Sequence, residues 1–270
     1  LLLFTFVCGA FIAHTGLGQT NKFIAAKKLQ IKELAKQPAS IAKDTSILRY
    51  ELDIANEYVN AKRIDSAHYW INSAHKKVKA LDWKPGWGYF YRTRGYYYTF
   101  AAKKDSSVSD YIQAIQIWES LGRWREAGIA GARLGALLGA DYQFDKGLYY
   151  LNNSLHIFEK NKDYFSQANV HNYIADVYRM MKNYPKSLEQ YQKTVELAQK
   201  YKLPPTVIQT PHVGTMYLFN NLPDSATLYY KKFGIDPIND PASIKDNYLA
   251  NRLAEFYLEK NSPAKAATYA

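Results

Sequence analysis

Thiol chemistry is almost missing from this chain. Cys8 is the single cysteine among 270 residues, and it stands inside an apolar run from Leu1 to Ala13 that ends at His14. Such a run is too short to span a bilayer and has the character of the apolar core of an export signal. Gly16-Leu17-Gly18 supplies small residues at the two positions a signal peptidase reads, so residues 1–18 are expected to be a signal peptide, cleaved before Gln19. The competing reading is a buried N-terminal helix. Val7 stands before Cys8 where a lipoprotein signal wants a small residue, which makes lipidation at Cys8 the lesser reading. Removal of the segment leaves a chain without a thiol, and this excludes a disulfide, a cysteine nucleophile and a thiolate metal site.

Acidic residues are also scarce: 24 Asp and Glu stand against 35 Lys and Arg, a formal net charge of +11. That balance favours acidic partners, such as an anionic peptide, a polysaccharide, a membrane surface or nucleic acid, and says nothing about fold. Signatures of catalysis are missing as well. There is no Gly-rich loop ending in Lys-Ser/Thr, no Ser-centred elbow, no paired-carboxylate motif and no zinc-binding helix. His68 and His75 lie two turns apart with no carboxylate at ligand spacing, and they read as packing or surface histidines. His156, His171 and His212 are isolated. The expectation is a protein that is not an enzyme and uses no cofactor or metal.

What the chain has is apolar and aromatic mass: 47% apolar residues, 15% aromatic, with 24 tyrosines, a composition of packed rather than disordered chain. One pattern recurs: an apolar residue, a small one, two others, then a large one. The copies are Ile54-Ala55-Tyr58, Arg94-Gly95-Tyr98 (Arg in the apolar place), Leu134-Gly135-Leu138, Ile174-Ala175-Tyr178, Val213-Gly214-Tyr217 and Leu253-Ala254-Tyr257. Each small residue follows the previous one by 40 positions, with one step of 39. Twelve positions downstream of each stands a second small residue: Ala67, Ser107, Gly147, Ser187, Ala226 and Ala266. Four further come Ile71, Tyr111, Leu151, Tyr191 and Tyr230, and three beyond these Ala74, Ala114, Ser154 and Thr194. Offsets of three and four place these residues on one helical face. Each unit therefore reads as two helices joined by a tight polar turn, such as Lys62-Arg63-Ile64-Asp65, Lys103-Lys104-Asp105 or Lys182-Asn183-Tyr184.

This alternation of small and large residues resembles the tetratricopeptide repeat, whose unit is usually about 34 residues. A 40-residue period implies longer helices or longer links, and the family's early Trp and most of its terminal prolines are absent here. The resemblance implies an all-α fold: a right-handed superhelical solenoid of antiparallel helix pairs, each contacting its neighbours and together forming a concave groove. The organisation expected is a signal peptide at 1–18, a basic linker or capping helix at 19–47, and a solenoid of about six repeats at 48–270, the last incomplete. Within the linker, Ile24 to Ala35 reads as one amphipathic helix ended by Pro38 and Ser40; Pro211 is tolerable only in a first turn, so the helix holding it is expected to start late or kink.

In the family, ligands commonly lie along the first helix of each unit, on the groove side. The corresponding residues here are Arg49, Asn56, Arg92, Tyr96, Arg133, Asn172, Asp176, Arg179, Asn251 and Arg252. Some relatives clamp a peptide's terminal carboxylate with Lys, Asn and Arg; Asn56 and Arg133 match two such places, but Leu52 and Ile129 stand at the lysine places, so that clamp is not expected. The segment from Lys76 to Lys104 carries eight Lys and Arg against Asp82 alone, interleaved with Trp83, Trp87, Tyr89, Phe90, Tyr91, Tyr96, Tyr97, Tyr98 and Phe100. Such a mixture can stack on bases or sugars; the reading adopted is packing between helices with solvated cations. Gly128, Gly131, Gly135 and Gly139 share one helical face, as close helix packing requires.

These readings converge on a scaffold that binds a protein or peptide, one with acidic character, and on no nucleic acid. Resemblance to signal-bearing relatives further implies an exported protein at a bacterial envelope, periplasmic or on the cell surface. It would be the sensing region of a larger signalling protein whose membrane span and output domain follow residue 270. The alternative is a cell-surface component that binds glycan or anionic polymer through the aromatic, basic segment.

Overall fold

The computed structural model describes residues 17–204, 210–232, 234–244 and 247–269. Most of the expected signal, residues 1–16, therefore lies outside the described residues. Among them there is no strand, and no helix is long and apolar enough to cross a membrane. The helices are α1 (Leu17–Ala35), α2 (Ile41–Asn60), α3 (Ile64–Leu81), α4 (Lys84–Phe100), α5 (Lys104–Ser120), α6 (Trp124–Ala140), α7 (Phe144–Lys160), α8 (Tyr164–Met180), α9 (Tyr184–Lys200), α10 (Thr210–Phe219), α11 (Pro223–Lys231), α12 (Asn247–Glu259) and α13 (Pro263–Ala267). From α2 onward they form six consecutive pairs.

The 40-residue period has a simple origin. From α4 to α9 every helix has seventeen residues and every connection three, so the excess over the usual unit lies in the helices. The turns within pairs share one geometry. Lys62, Ala102, Tyr142, Lys182, Asn221 and Asn261 each adopt the left-handed conformation, with φ between 51° and 62°. The next residue's N–H returns to the carbonyl of the repeat's large residue: Arg63 to Tyr58, Lys103 to Tyr98, Gln143 to Leu138, Asn183 to Tyr178, Leu222 to Tyr217 and Ser262 to Tyr257, at 2.8–2.9 Å. This closure satisfies carbonyls the helix end would otherwise leave open, and it favours glycine; none of the six positions has one. At the other end of the helices, Ser40 caps α2 by accepting from the Lys43 N–H at 3.2 Å, so Ser40 begins a helix as well as following one. Pro211 is the second residue of α10 as described, Thr210–Phe219; residues 205–209, on which the expected late start turns, lie outside the described residues.

The small residues sit where paired helices touch. A Cβ added to Gly135 would lie 2.7 Å from Leu151 Cγ and 2.8 Å from the Gly147 carbonyl oxygen, and one on Gly147 would lie 2.8 Å from the Gly139 nitrogen. Close packing of α6 on α7 thus explains the glycine face. Where the second small residue is serine, its hydroxyl donates to the facing helix: Ser107 to the Gly95 carbonyl and Ser187 to the Ala175 carbonyl, both at 2.8 Å. Arg94, the one cation in the apolar place, makes a bidentate pair with Asp110 at 2.7 and 2.8 Å. Asp110 occupies the place of Trp70, Tyr150 and Gln190 in other copies, so here an ion pair replaces an apolar contact.

The chain divides into two compact units, Leu1–Asn161 and Lys162–Ala270. In the first, α2 and α4 lie side by side, α6 follows, and α1 packs on α2 through buried Ile24. Its core runs through Leu48, Leu52, Ile54, Val78, Phe90, Tyr111, Trp118 and Leu134. In the second, three pairs follow from α8 to α13, with cores around Tyr191, Val213 and Met216 and around Tyr230, Leu249 and Leu253.

Candidate functional site

In the first unit the first helices of the pairs expose a polar face. Asp53, Asn56, Glu57 and Asn60 recur at intervals of three and four along α2, which puts them on one side of the helix. With Phe23 of α1, Tyr96 of α4 and Arg133 of α6 they line a cavity of about 220 Å³. Its walls are cross-linked: the Tyr96 hydroxyl donates to Asn60 Oδ1 at 2.8 Å, Asn56 Nδ2 to Thr93 Oγ1 at 3.4 Å, and Asn60 Nδ2 to Glu57 Oε1 at 3.4 Å. The Arg133 guanidinium lies 4.1 Å from the centre of the Tyr96 ring, a cation–π contact. Lys27 of α1 reaches Asp53 at 3.3 Å. Burial, joined by the charge of Asp53, raises the Glu57 carboxyl above its usual range, against the opposing hydrogen bond from Asn60.

Beside the cavity, Arg92 and Arg49 stack about Tyr89, with guanidinium carbons 5.5 and 5.0 Å from its ring centre. The structure thus brings Arg49, Asn56, Arg92, Tyr96 and Arg133 to one face. Asp53, Glu57, Asn60, Lys27 and Phe23 join them; the helical phase of Asn56 points to the first three, whereas the approach of α1 has no local signature.

The expected residues of the second unit are arranged differently. Arg252 of α12 reaches Asp176 of α8 at 3.3 Å, and both are 1% exposed. Arg179 and Arg252 share Glu255 at 2.7 and 3.0 Å, and the Tyr191 hydroxyl donates to Asp176 at 3.0 Å. Asn172 is buried and Asn251 is exposed. Nearby, Glu259 takes a hydrogen bond from Tyr184 at 2.5 Å and an ion pair from Lys182 at 3.2 Å. Burial, with Glu259, pushes the Tyr184 phenol well up. Here Asp176, Arg179 and Arg252 pair in the interior, while Glu255, Glu259 and Lys182 pair at its more exposed edge.

The aromatic, basic segment separates into two faces. Tyr89, Arg92 and Tyr96 turn to the cavity side, while Arg94 lies among Phe90, Tyr91 and Tyr98 at 4.8–5.6 Å and pairs with Asp110. Packing accounts for most of its rings, yet Arg92 and Arg94 are half-buried rather than solvated. A larger cavity, about 620 Å³, opens between α5 and α7 over Leu134 and Leu138, rimmed by Lys104, Gln143 and Lys146. Among the described residues no group of His, Cys, Asp and Glu is placed to hold a metal ion.

Fold and faces define a class, the all-α proteins built of repeated helical hairpins. Residues 125–200 match the tetratricopeptide repeat family. Over that stretch the chain carries tetratricopeptide repeats. No curated protein matches it in sequence. Solved structures do. Aspartyl phosphate phosphatase F from Bacillus subtilis superposes with a TM-score of 0.71 at 14% identity, over 94% of this chain and 66% of that one. NprR in complex with its cognate peptide NprX gives 0.62 at 13% identity, over 93% of this chain and 75% of that one. A tetratricopeptide repeat protein from Parabacteroides merdae gives 0.54 at 12% identity, over 100% of this chain and 91% of that one. At such identities the likeness is one of fold.

Proposed function

We propose that this chain is a non-catalytic scaffold that binds a peptide or protein segment along the face formed by α2, α4 and α6. The observation that carries the reading is the polar cavity between those helices, where Asn56, Tyr96 and Arg133 converge with Asp53 and Glu57. A groove-side cavity with both carboxylates and guanidinium groups suits the alternating donors and acceptors of a peptide better than a single small reactant. The fold shared with NprR, solved with a peptide, supports the same reading. So does the absence of any catalytic signature in the sequence.

The finer part of the proposal is that the scaffold is exported, to the periplasm or cell surface of a bacterium, as the sensing region of a larger signalling protein. The apolar run from Leu1 to Ala13 motivates it. Residues 1–18 fused to a reporter active only outside the cytoplasm test export directly, and an inactive reporter removes that part alone. For binding, a peptide array probed with the protein is expected to yield ligands whose affinity falls about tenfold with Asn56→Ala and measurably with Tyr96→Phe, the loss of one or two hydrogen bonds. Ligands indifferent to both substitutions would place recognition elsewhere.

A further inference from the structure

Four arginines near the groove face of the first unit fall into two groups. Arg94 is paired with Asp110, and Arg123 is hydrogen-bonded to Glu126. Arg49 and Arg92 touch only rings. Arg49 lies 5.4 Å from the centre of Trp83 and 5.0 Å from that of Tyr89, and Arg92 lies 5.5 Å from Tyr89. Neither makes a hydrogen bond or ion pair among the described residues. The exception is the costly one. Arg92 is half-buried, and a guanidinium taken from water is ordinarily paired. Burial, then the charge of Arg133, hold it below the usual arginine range, against weaker help from Tyr89 and Asp53.

The Tyr89 ring that both cations contact is held in place. The Arg123 guanidinium donates to the Tyr89 hydroxyl at 3.4 Å, and the Tyr89 ring meets Trp118 edge-on at 4.7 Å, with Trp118 wholly buried. Two planar forks on one fixed ring, both short of an acceptor, are preorganised for an oxyanion.

We propose that Arg49 and Arg92, seated on Tyr89, form a binding site for a carboxylate or phosphoryl group carried by a peptide ligand. The proposal rests on the peptide-binding reading above and names the chemistry one end of the groove selects. It differs from a terminal-carboxylate clamp in its residues: Leu52, at a lysine place of that clamp, belongs to the core.

The test is fluorescence anisotropy with labelled hexaglutamate, hexaglutamine and a Ser-Gly hexapeptide bearing one phosphoserine. The intact chain is expected to bind an acidic probe, with affinity falling as salt rises, and to ignore hexaglutamine. Preference between the two acidic probes identifies the source of the oxyanion. Arg92→Gln and Arg49→Gln should each weaken binding about tenfold, and Arg92→Lys, which keeps charge without the fork, by less. Lys146→Gln, on α7 at the rim of the other cavity, should change nothing. Binding of neither acidic probe overturns the site, as does equal loss with Lys146→Gln and Arg92→Gln. A thermal melt of each variant confirms folding, and removal of the unpaired Arg92 charge is expected to leave the melting temperature unchanged or raised. Array peptides that bind through Asn56 and Tyr96 while ignoring Arg92 would sink this site and leave the scaffold standing. Hexaglutamate bound through Arg92 with no array ligand at all would do the reverse.

Discussion

The two units are built from the same helical hairpin, yet they treat charge on the first helices in opposite ways. In the first, Arg49 and Arg92 sit on Tyr89 without a carboxylate, and Asp53 and Glu57 crowd a cavity. In the second, buried Asp176, Arg179 and Arg252 close on one another and on the partly exposed Glu255. A buried network of paired charges holds helices together, whereas charges that the fold leaves unbalanced remain available to something outside it. Repeat architecture makes the contrast possible, because each hairpin is stabilised by its neighbours and one face is free to vary.

The comparison breaks most visibly at Arg252. Arg252→Met takes from buried Asp176 the nearer of its two cations, leaving Arg179 at 3.7 Å, and should cost up to about 3–5 kcal/mol in urea unfolding. The double substitution Arg252→Met with Asp176→Asn should recover part of that loss. Next in size is Gly214→Ala. Its Cβ would stand 2.4 Å from Tyr230, a ring 1% exposed with no room to retreat, and the expected cost is about 1–3 kcal/mol.

The turns are the control, since they are alike in both units. Ala102→Gly in the first and Asn221→Gly in the second relieve a left-handed residue, and Ala102→Gly should raise stability by about 1 kcal/mol, with Asn221→Gly gaining less because Asn tolerates that conformation. A gain at Ala102 alone, with a loss at Asn221, would show that the turns are not equivalent. Smallest is a pH effect in the first unit. Burial raises the Glu51 carboxyl despite Lys77 and Ser73, and burial raises Glu57. A carboxyl raised in the folded state binds its proton more tightly there. It therefore adds stability as pH falls from the raised value toward the ordinary carboxylate range near 4.5, and that gain is lost as pH rises again. Glu57→Gln should flatten this slope by less than about 1 kcal/mol between pH 7 and 5.

The hairpin architecture was legible because close helix contacts demand small residues at fixed offsets, and six copies of Ala, Gly or Ser record that demand. The left-handed turns were not legible, since Lys62, Ala102 and Tyr142 carry none of the glycine signal that usually marks them. Nor was the pairing of Arg94 with Asp110, which reads locally as a misplaced cation and makes sense only when the partner helix supplies its acid. The groove-side positions were legible from helical phase, but their roles were not. Whether Arg92 stays unpaired or Arg252 finds Asp176, 76 residues away, depends on contacts that no local pattern encodes.

The most direct test sets the two arginines side by side. Arg92→Met and Arg252→Met remove the same group from the same kind of helix, and urea unfolding of each against the parent chain reads the difference. The account predicts opposite outcomes: stability unchanged or raised for Arg92→Met, and sharply lowered for Arg252→Met. A comparable loss in both would mean that Arg92 is balanced within the fold after all, and would contradict the division of the molecule into an open face and a closed one.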